Sequence, residues 1–298
     1  MNRLSLSLIC LLFTFHCNKK PEPHVTSILQ KLDSNISAIK ASGQCQGEKC
    51  HMVAFWDFDG TLLKGDCSEG YDEADSQVYA GIIEEAIDAG LSKQYKPGSY
   101  RKFYADYTEK EKKEGKVAAY TYILKIFEGA SADILNEVAG RTMKKIWPWA
   151  FKSSLSIFNH LREKGVENFV ISASSDVFVE EADELLQIPR ENFHGIEVKI
   201  KRGLISSELV EPVTYAEGKA EKIRRIVAER LKRYDRVFIV AGFGNSYHTD
   251  GPFLKYISRQ TLVDSYKPVV MMINGGEPPS EYLGIFTLVT QKVTIGKK

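Results

Sequence analysis

Four short runs of apolar residues constrain the fold of this 298-residue chain more than any other feature. They cover residues 51–58, 166–172, 236–242 and 268–274. Each is rich in β-branched or aromatic side chains and ends in small polar or acidic residues. None alternates between apolar and polar. A strand loses that alternation when both of its faces are covered, as in a parallel sheet between helices. Helical patterns at residues 153–164 and 219–233 precede the second and third runs. Strand–helix alternation predicts an α/β sheet with right-handed crossovers. In such sheets ligands bind beyond the carboxyl ends of the strands. Asp57, Ser172 and Asn245 fall there.

Residues 66–147 break the pattern. They hold no strong strand and are dense in helix formers, as in residues 82–87 and 118–127, so they are expected to form a helical insert over the site. Trp147-Pro148-Trp149 marks the return, since the residue before a proline is biased out of the helix. A second irregular piece, residues 194–215, predicts a two-stranded ribbon. Residues 196–200 alternate and Lys201-Arg202-Gly203 supplies the turn.

The N-terminus is expected to act outside this domain. Residues 4–15 are apolar but too short to span a bilayer, and they fit a secretory signal peptide over residues 1–17. A polar linker and a helix with apolar positions at Val25, Ile28, Leu32, Ile36 and Ile39 are expected within residues 18–50. The expected location is therefore exported, either periplasmic or anchored. Cys17 sits where a bacterial lipoprotein carries its lipid, although His16 and Phe15 replace the usual small residues before it. Cys45 and Cys50 flank a polar loop and either form a small disulfide in an exported chain or remain two thiols. The net charge of +1 supplies no basic footprint, so nucleic acid is not an expected partner.

Asp57 and Asp59 are two carboxylates separated by one residue, just after a buried strand. One can attack an electrophile while the other handles the leaving group's proton. A hard divalent cation would reduce the repulsion between such a nucleophile and an anionic substrate. Gly60 and Thr61 suit a tight turn that offers a hydroxyl to a phosphate oxygen.

The string Asp57-Phe58-Asp59-Gly60-Thr61-Leu62 resembles the first signature of the haloacid dehalogenase superfamily of phosphohydrolases. Ser172, in Phe169-Val170-Ile171-Ser172-Ala173-Ser174, is similar to the second, whose hydroxyl binds phosphate. Lys219 in Glu217-Gly218-Lys219-Ala220 is similar to the third, a lysine that neutralises phosphoryl and nucleophile charge. Gly244-Asn245-Ser246-Tyr247-His248-Thr249-Asp250 is similar to the fourth, an acidic loop completing the metal site. The resemblance spans residues 52–275 and its elements come in family order. It implies a Rossmann-like parallel core over residues 51–65 and 148–298, an inserted α-helical cap over residues 66–147, Mg²⁺ and an aspartyl-phosphate intermediate. The implied roles are Asp57 nucleophile, Asp59 general acid/base, and Thr61, Ser172 and Lys219 phosphate binders. Asp57, Asp59, Asn245 and Asp250 form the implied metal shell. Asn245 departs from the family, which has aspartate there, and removes one negative charge.

The cap's position resembles the group containing phosphoserine phosphatase and bacterial phosphorylcholine phosphatase. The cap carries Tyr71, Tyr79, Tyr95, Tyr100, Phe103, Tyr104, Tyr107, Tyr120 and Tyr122. Aromatics around a cleft can hold a quaternary ammonium, and Asp66 or Glu69 can face it. The expected partner is thus a small phosphorylated metabolite such as phosphocholine. The alternatives are a phosphoserine-type phosphatase and a catalytically weakened envelope binding protein. Membrane partition of the full chain tests the tether: Cys17→Ala is expected to move the protein from the membrane to the soluble fraction, and equal partition would remove Cys17 as an anchor.

Overall fold

The computed structural model describes residues 23–44, 49–72 and 74–296. The expected signal peptide, Cys17 and Cys45 lie outside the described residues. Cys50 is disulfide-bonded.

In chain order the elements are α1 Pro23–Ala41, β1 Cys50–Trp56, α2 Ile82–Asp88, α3 Tyr100–Glu114, α4 Lys116–Lys125, α5 Ala132–Ile146 and α6 Lys152–Glu163. There follow β2 Glu167–Ser175, α7 Asp176–Val179, α8 Asp183–Leu186, β3 Phe193–Ile196, β4 Val198–Lys201 and β5 Leu204–Leu209. The chain continues with α9 Glu217–Arg230, β6 Arg236–Gly244, α10 Gly251–Ser258, β7 Val269–Ile273 and β8 Thr287–Val289.

Six strands form one parallel sheet in the order β3-β2-β1-β6-β7-β8. The four apolar runs occupy its centre, where both faces are covered. One face carries Phe55, Phe169, Ile239 and Met272 against Ile223 of α9 and Phe253 and Leu254 of α10. The other joins Trp56, Val170, Val240 and Phe243 to Leu32 of α1 and Phe158 of α6. Trp56 is fully buried and stacks on Phe243 at 3.7 Å between centroids. Its indole N–H donates to Asn168 Oδ1 at 2.9 Å, so the ring brings no unsatisfied donor into the core. Each such large side chain contributes roughly 1.5–3 kcal/mol by leaving water.

The two edge strands are absent from the sequence reading. Phe193–Ile196 pairs with β2, although residues 194–215 are expected to carry only a ribbon. Thr287–Val289 pairs with β7 and exposes two of its three residues. Short edge strands have no continuous apolar run to betray them. The ribbon itself forms as β4 and β5, antiparallel.

Between β1 and α6 the described chain folds into the helices α2 to α5, an all-helical layer beside the sheet. The ribbon meets this layer through its backbone: Gly129 N donates to Ile205 O and Ile205 N to Ala130 O, at 2.8 and 2.9 Å. Among the described residues, no helix is long and apolar enough to cross a membrane.

At the opposite end of the sheet from the carboxyl termini, Glu167 ties three elements together. It accepts two hydrogen bonds from Arg230 of α9, at 2.8 and 2.7 Å, and lies 2.6 Å from His51 Nε2 of β1. Burial alone would push this carboxyl up, but Arg230 and His51 outweigh it and hold the group at about 2. A depressed carboxyl stabilises the fold above its unfolded value and loses that contribution as pH falls toward the folded value. Glu167→Gln is therefore expected to cost about 2 kcal/mol at pH 7 and much less at pH 2 to 3. Urea unfolding at both pH values measures it, and an equal cost at both would contradict the clamp.

Candidate active site

The site is built where β1 stops. Asp57 is kept in line with the sheet by its N–H, which donates to Phe243 O at 2.8 Å. The chain then turns tightly. Leu62 and Leu63 both donate to Phe58 O, and Gly60, at φ 75°, donates to Leu63 O at 2.7 Å. Positive φ at Gly60 is accessible without a Cβ penalty. The turn presents Asp57 and Asp59 to the same cleft.

Asp57 is only 4% exposed, and both its oxygens are engaged. Oδ1 accepts from Lys219 Nζ at 2.7 Å and Oδ2 from Thr61 Oγ1 at 2.8 Å. Burial, followed by repulsion from Asp250, raises its pKa to about 7 against the pull of Lys219. Thr61 is fully buried and does not line the cleft, so its hydroxyl holds the carboxylate rather than facing a ligand.

Asp59 has a different environment. Cys67 N donates to Oδ1 at 2.7 Å, and Ser174 Oγ donates to Oδ2 at 2.7 Å. Burial, Asp66 and Asp57 push its carboxyl well above the usual carboxylate range. A raised carboxyl suits a general acid. Ser172 Oγ lies 3.3 Å from the same Oδ2 and accepts from Ser174 N at 3.0 Å. Ser174 was not among the sequence candidates; its only signal is a further serine beyond the end of the apolar run.

Lys219 stands in the first turn of α9 and is fully buried. Its ammonium also donates to Asp250 Oδ1 at 2.6 Å. Burial would lower its pKa, but Asp250 and Asp57 hold it raised, so the cation is permanent. Local backbone packing fixes the helix start. A Cβ on Gly218 would sit 1.8 Å from Val213 O, and Ala216 adopts φ 49° and ψ −117°, a region L-residues rarely enter. Strain of this kind costs of order 1–3 kcal/mol and gathers where geometry is functional.

Asp250 accepts from the backbone N–H groups of Asn245 and Ser246 at 3.0 and 3.1 Å. It is fully buried and does not line the cleft, whereas Asn245 does. The structure thus brings Asp57, Asp59 and Asn245 together at the cleft and sets Asp250 behind them, on Lys219 and the loop. Oxygen donors of this kind suit a hard cation such as Mg²⁺. Asp59, Asp66 and Cys67 also bring donor atoms within 4.8 Å of one another. Burial followed by Asp59 and Asp66 pushes the Cys67 thiol well up, which leaves a neutral sulfur and a poor ligand.

The cleft holds about 410 Å³. Its cap wall is acidic and aromatic. Asp66, Glu69 and Glu111 face it, as do Tyr104, Tyr107 and Tyr120. Tyr71, also on this wall, stacks on Tyr104 at 4.2 Å. Glu69 is 8% exposed, and burial and then Asp66 raise its carboxyl well above the usual range. The remaining aromatics of the cap pack elsewhere: Phe103 is fully buried against Tyr95 and Tyr122, and Tyr100 donates its hydroxyl to Glu69 O. Lys110 and Lys113 pair with Glu114 and Glu109 on the outer face of α3.

Comparisons with known proteins agree with this fold. Residues 54–255 match the family described as haloacid dehalogenase-like hydrolase. A protein of unknown function from Bordetella pertussis Tohama I is similar in fold, with a TM-score of 0.59 and 14% identity over 80% of this chain and 98% of that one. A functionally unknown protein from Anaerococcus prevotii DSM 20548 gives 0.58 and 12% over 89% and 91%. A HAD family hydrolase from Salmonella enterica subsp. enterica serovar Typhi gives 0.50 and 16% over 80% and 66%. No curated protein matches this chain in sequence.

Replacing Lys219 by Met leaves two buried carboxylates facing each other. With chelator present to exclude divalent cations, stability is expected to fall by about 3–5 kcal/mol at pH 8. The loss should shrink at pH 5, where one carboxyl takes up a proton. Denaturant titration at both pH values checks this, and a loss independent of pH would contradict it.

Proposed function

This chain belongs to the haloacid dehalogenase-like hydrolase family, and from that premise we propose that it is a Mg²⁺-dependent phosphomonoesterase acting through an aspartyl-phosphate on Asp57. One observation carries the reading. A buried carboxylate is pinned between Lys219 and Thr61, and a second carboxyl, Asp59, whose pKa burial, Asp66 and Asp57 raise, lies beside it in the same cleft.

Asp57 attacks phosphorus as a carboxylate, and the bond from phosphorus to the ester oxygen breaks. Asp59 gives its proton to that departing oxygen, so the alcohol leaves neutral. Water then attacks the acyl phosphate, Asp59 takes the proton, and phosphate departs with Asp57 restored. Lys219 stays protonated throughout and offsets charge on Asp57 and on the phosphoryl oxygens. Ser172 supplies a hydroxyl at the strand end. Mg²⁺, held by Asp57, Asp59 and Asn245, would neutralise phosphoryl charge when bound.

The cap wall supports a substrate whose alcohol part is cationic. Carboxylates and tyrosine faces attract an ammonium group, and phosphocholine fits both. Lys116 also lines the cleft and favours the phosphoserine-type alternative, because it can meet a substrate carboxylate. Asn245 favours the second reading, a weakened enzyme that only binds its ligand. The N-terminal segment supports an envelope location for either.

The test is phosphate release with Mg²⁺ from an aryl phosphate, phosphocholine, phosphoserine, phosphoethanolamine and nucleotides. We expect turnover that falls by at least about 10³-fold in Asp57→Asn. Phosphocholine is expected to lead the panel, and equal rates across it would remove the cationic-substrate reading. An inactive wild type that gains activity as Asn245→Asp would establish the binding reading instead.

A further inference from the structure

The C-terminal segment reaches the nucleophile through a single buried side chain. Gln291 is 3% exposed and lies 234 positions after Asp57, beyond β8, which ends at Val289. Its Nε2 donates to Thr61 O at 2.9 Å and to Ser154 Oγ at 2.8 Å. Ser154, 1% exposed and in α6, donates to the same Thr61 carbonyl at 2.6 Å. Two side chains from distant parts of the sequence therefore grip one carbonyl, and the hydroxyl of that residue holds Asp57 Oδ2.

Gln291 is itself held rigidly. Asn274, at the end of β7, receives Gln291 N on Oδ1 at 2.9 Å and donates Nδ2 to Gln291 O at 3.0 Å. Asn274 adopts φ 56°, a conformation that asparagine tolerates better than most residues. Beyond Gln291 the segment runs along the return from cap to core. Lys152 N donates to Val293 O, Ile295 N to Ala150 O and Gly296 N to Pro148 O, at 2.9, 2.9 and 2.7 Å. The strap thus joins β7, α6, the turn after β1 and the base of the cap.

We propose that Gln291 is a positioning residue for the nucleophile: with Ser154 it fixes Thr61, and Thr61 aims Asp57 at phosphorus. Gln291 touches no substrate. Without its donor, the Thr61 carbonyl is left under-bonded in a dry site, and the turn relaxes toward water or another partner. A turn that shifts by a fraction of an ångström takes the hydroxyl off Asp57 Oδ2. The carboxylate then samples orientations from which attack fails, while the cap wall that binds the rest of the substrate is unaffected.

The kinetic consequence rests on the phosphomonoesterase reading; the geometric one does not. Gln291→Leu keeps the bulk and removes the donor. We expect kcat to fall by about 10- to 100-fold, a loss typical of small misplacements, while KM changes by less than about 3-fold. In a Thr61→Val background, which lacks the hydroxyl, the same substitution is expected to cost less than about 3-fold, because residues acting in series are not additive. A purely structural role would move the unfolding temperature but produce neither the split nor the non-additivity. Should Gln291→Leu fail to fold, Ser154→Ala removes the other donor to the same carbonyl and carries the same comparison. A crystal structure of the folded variant is expected to show Thr61 Oγ1 beyond hydrogen-bond reach of Asp57. Unchanged kcat, a full loss in the Thr61→Val background, or a retained Thr61–Asp57 contact would each overturn the proposal. If the wild type releases no phosphate from any ester, the phosphatase reading fails, and the Thr61–Asp57 distance in the variant still decides this one.

Discussion

One buried ammonium organises the molecule. Lys219 has no exposed surface and two carboxylate partners, Asp57 just after β1 and Asp250 at the start of α10, beyond the adjacent strand β6. Removing such ions from water costs several kcal/mol each, so the arrangement persists only because every atom of the cluster is bonded. Asp250 is closed by the Asn245 and Ser246 amides, and Asp57 by Thr61. Two negative charges share one positive charge, and the surplus charge lies at a cleft. That imbalance makes the site receptive to a further cation and adds to burial, the larger cause, in raising the pKa of Asp57.

The same constraint explains why the surrounding backbone tolerates strain. Lys219 can reach both carboxylates only if α9 begins where it does, with Gly218 against Val213 O and Ala216 at positive φ. The loop after β6 closes on Asp250 because Gly244 carries no side chain: a Cβ there would meet the Asp250 Cβ at 2.6 Å. Asp59 needs no ammonium. It is held by Cys67 N and Ser174 Oγ, and burial, with Asp66 and Asp57 nearby, raises its carboxyl. Two carboxylates two residues apart thereby acquire opposite tasks from their environments, not from their identities.

Much of this was legible in the sequence, and the reason is physical. The central strands are covered on both faces, so they must be continuous apolar runs, and their ends announce Asp57, Ser172 and the Asn245 loop. The edge strands β3 and β8 are short and partly wet, so no periodicity marked them. The side chains that act on other side chains were equally silent. The hydroxyl of Thr61 bonds Asp57, and Asp250 bonds Lys219 and the Asn245 loop, contacts that their place in the sequence does not announce. Ser174 and Gln291 belong to the site through tertiary contacts that no local pattern encodes. The nine cap aromatics could not be sorted by sequence either, since helical spacing places a tyrosine on a face without saying what covers that face.

This division has a consequence for specificity. The central cluster lies at strand and helix ends of the core, whereas the cap wall contributes tyrosines and carboxylates from α3, α4 and the loop after β1. Glu69 links the two. Its backbone carbonyl accepts from Tyr100 and its amide donates to Asp66, so it is fixed to the cap's first turn, and its carboxyl is buried beside the cleft. A buried carboxyl without a cation is unstable as an anion, and a substrate ammonium would supply the missing charge. Binding such a substrate would therefore do more than fill the cleft. On the cationic-substrate reading proposed above, it would also favour the charged form of Glu69, most of all when the positive charge lies deepest against the tyrosines.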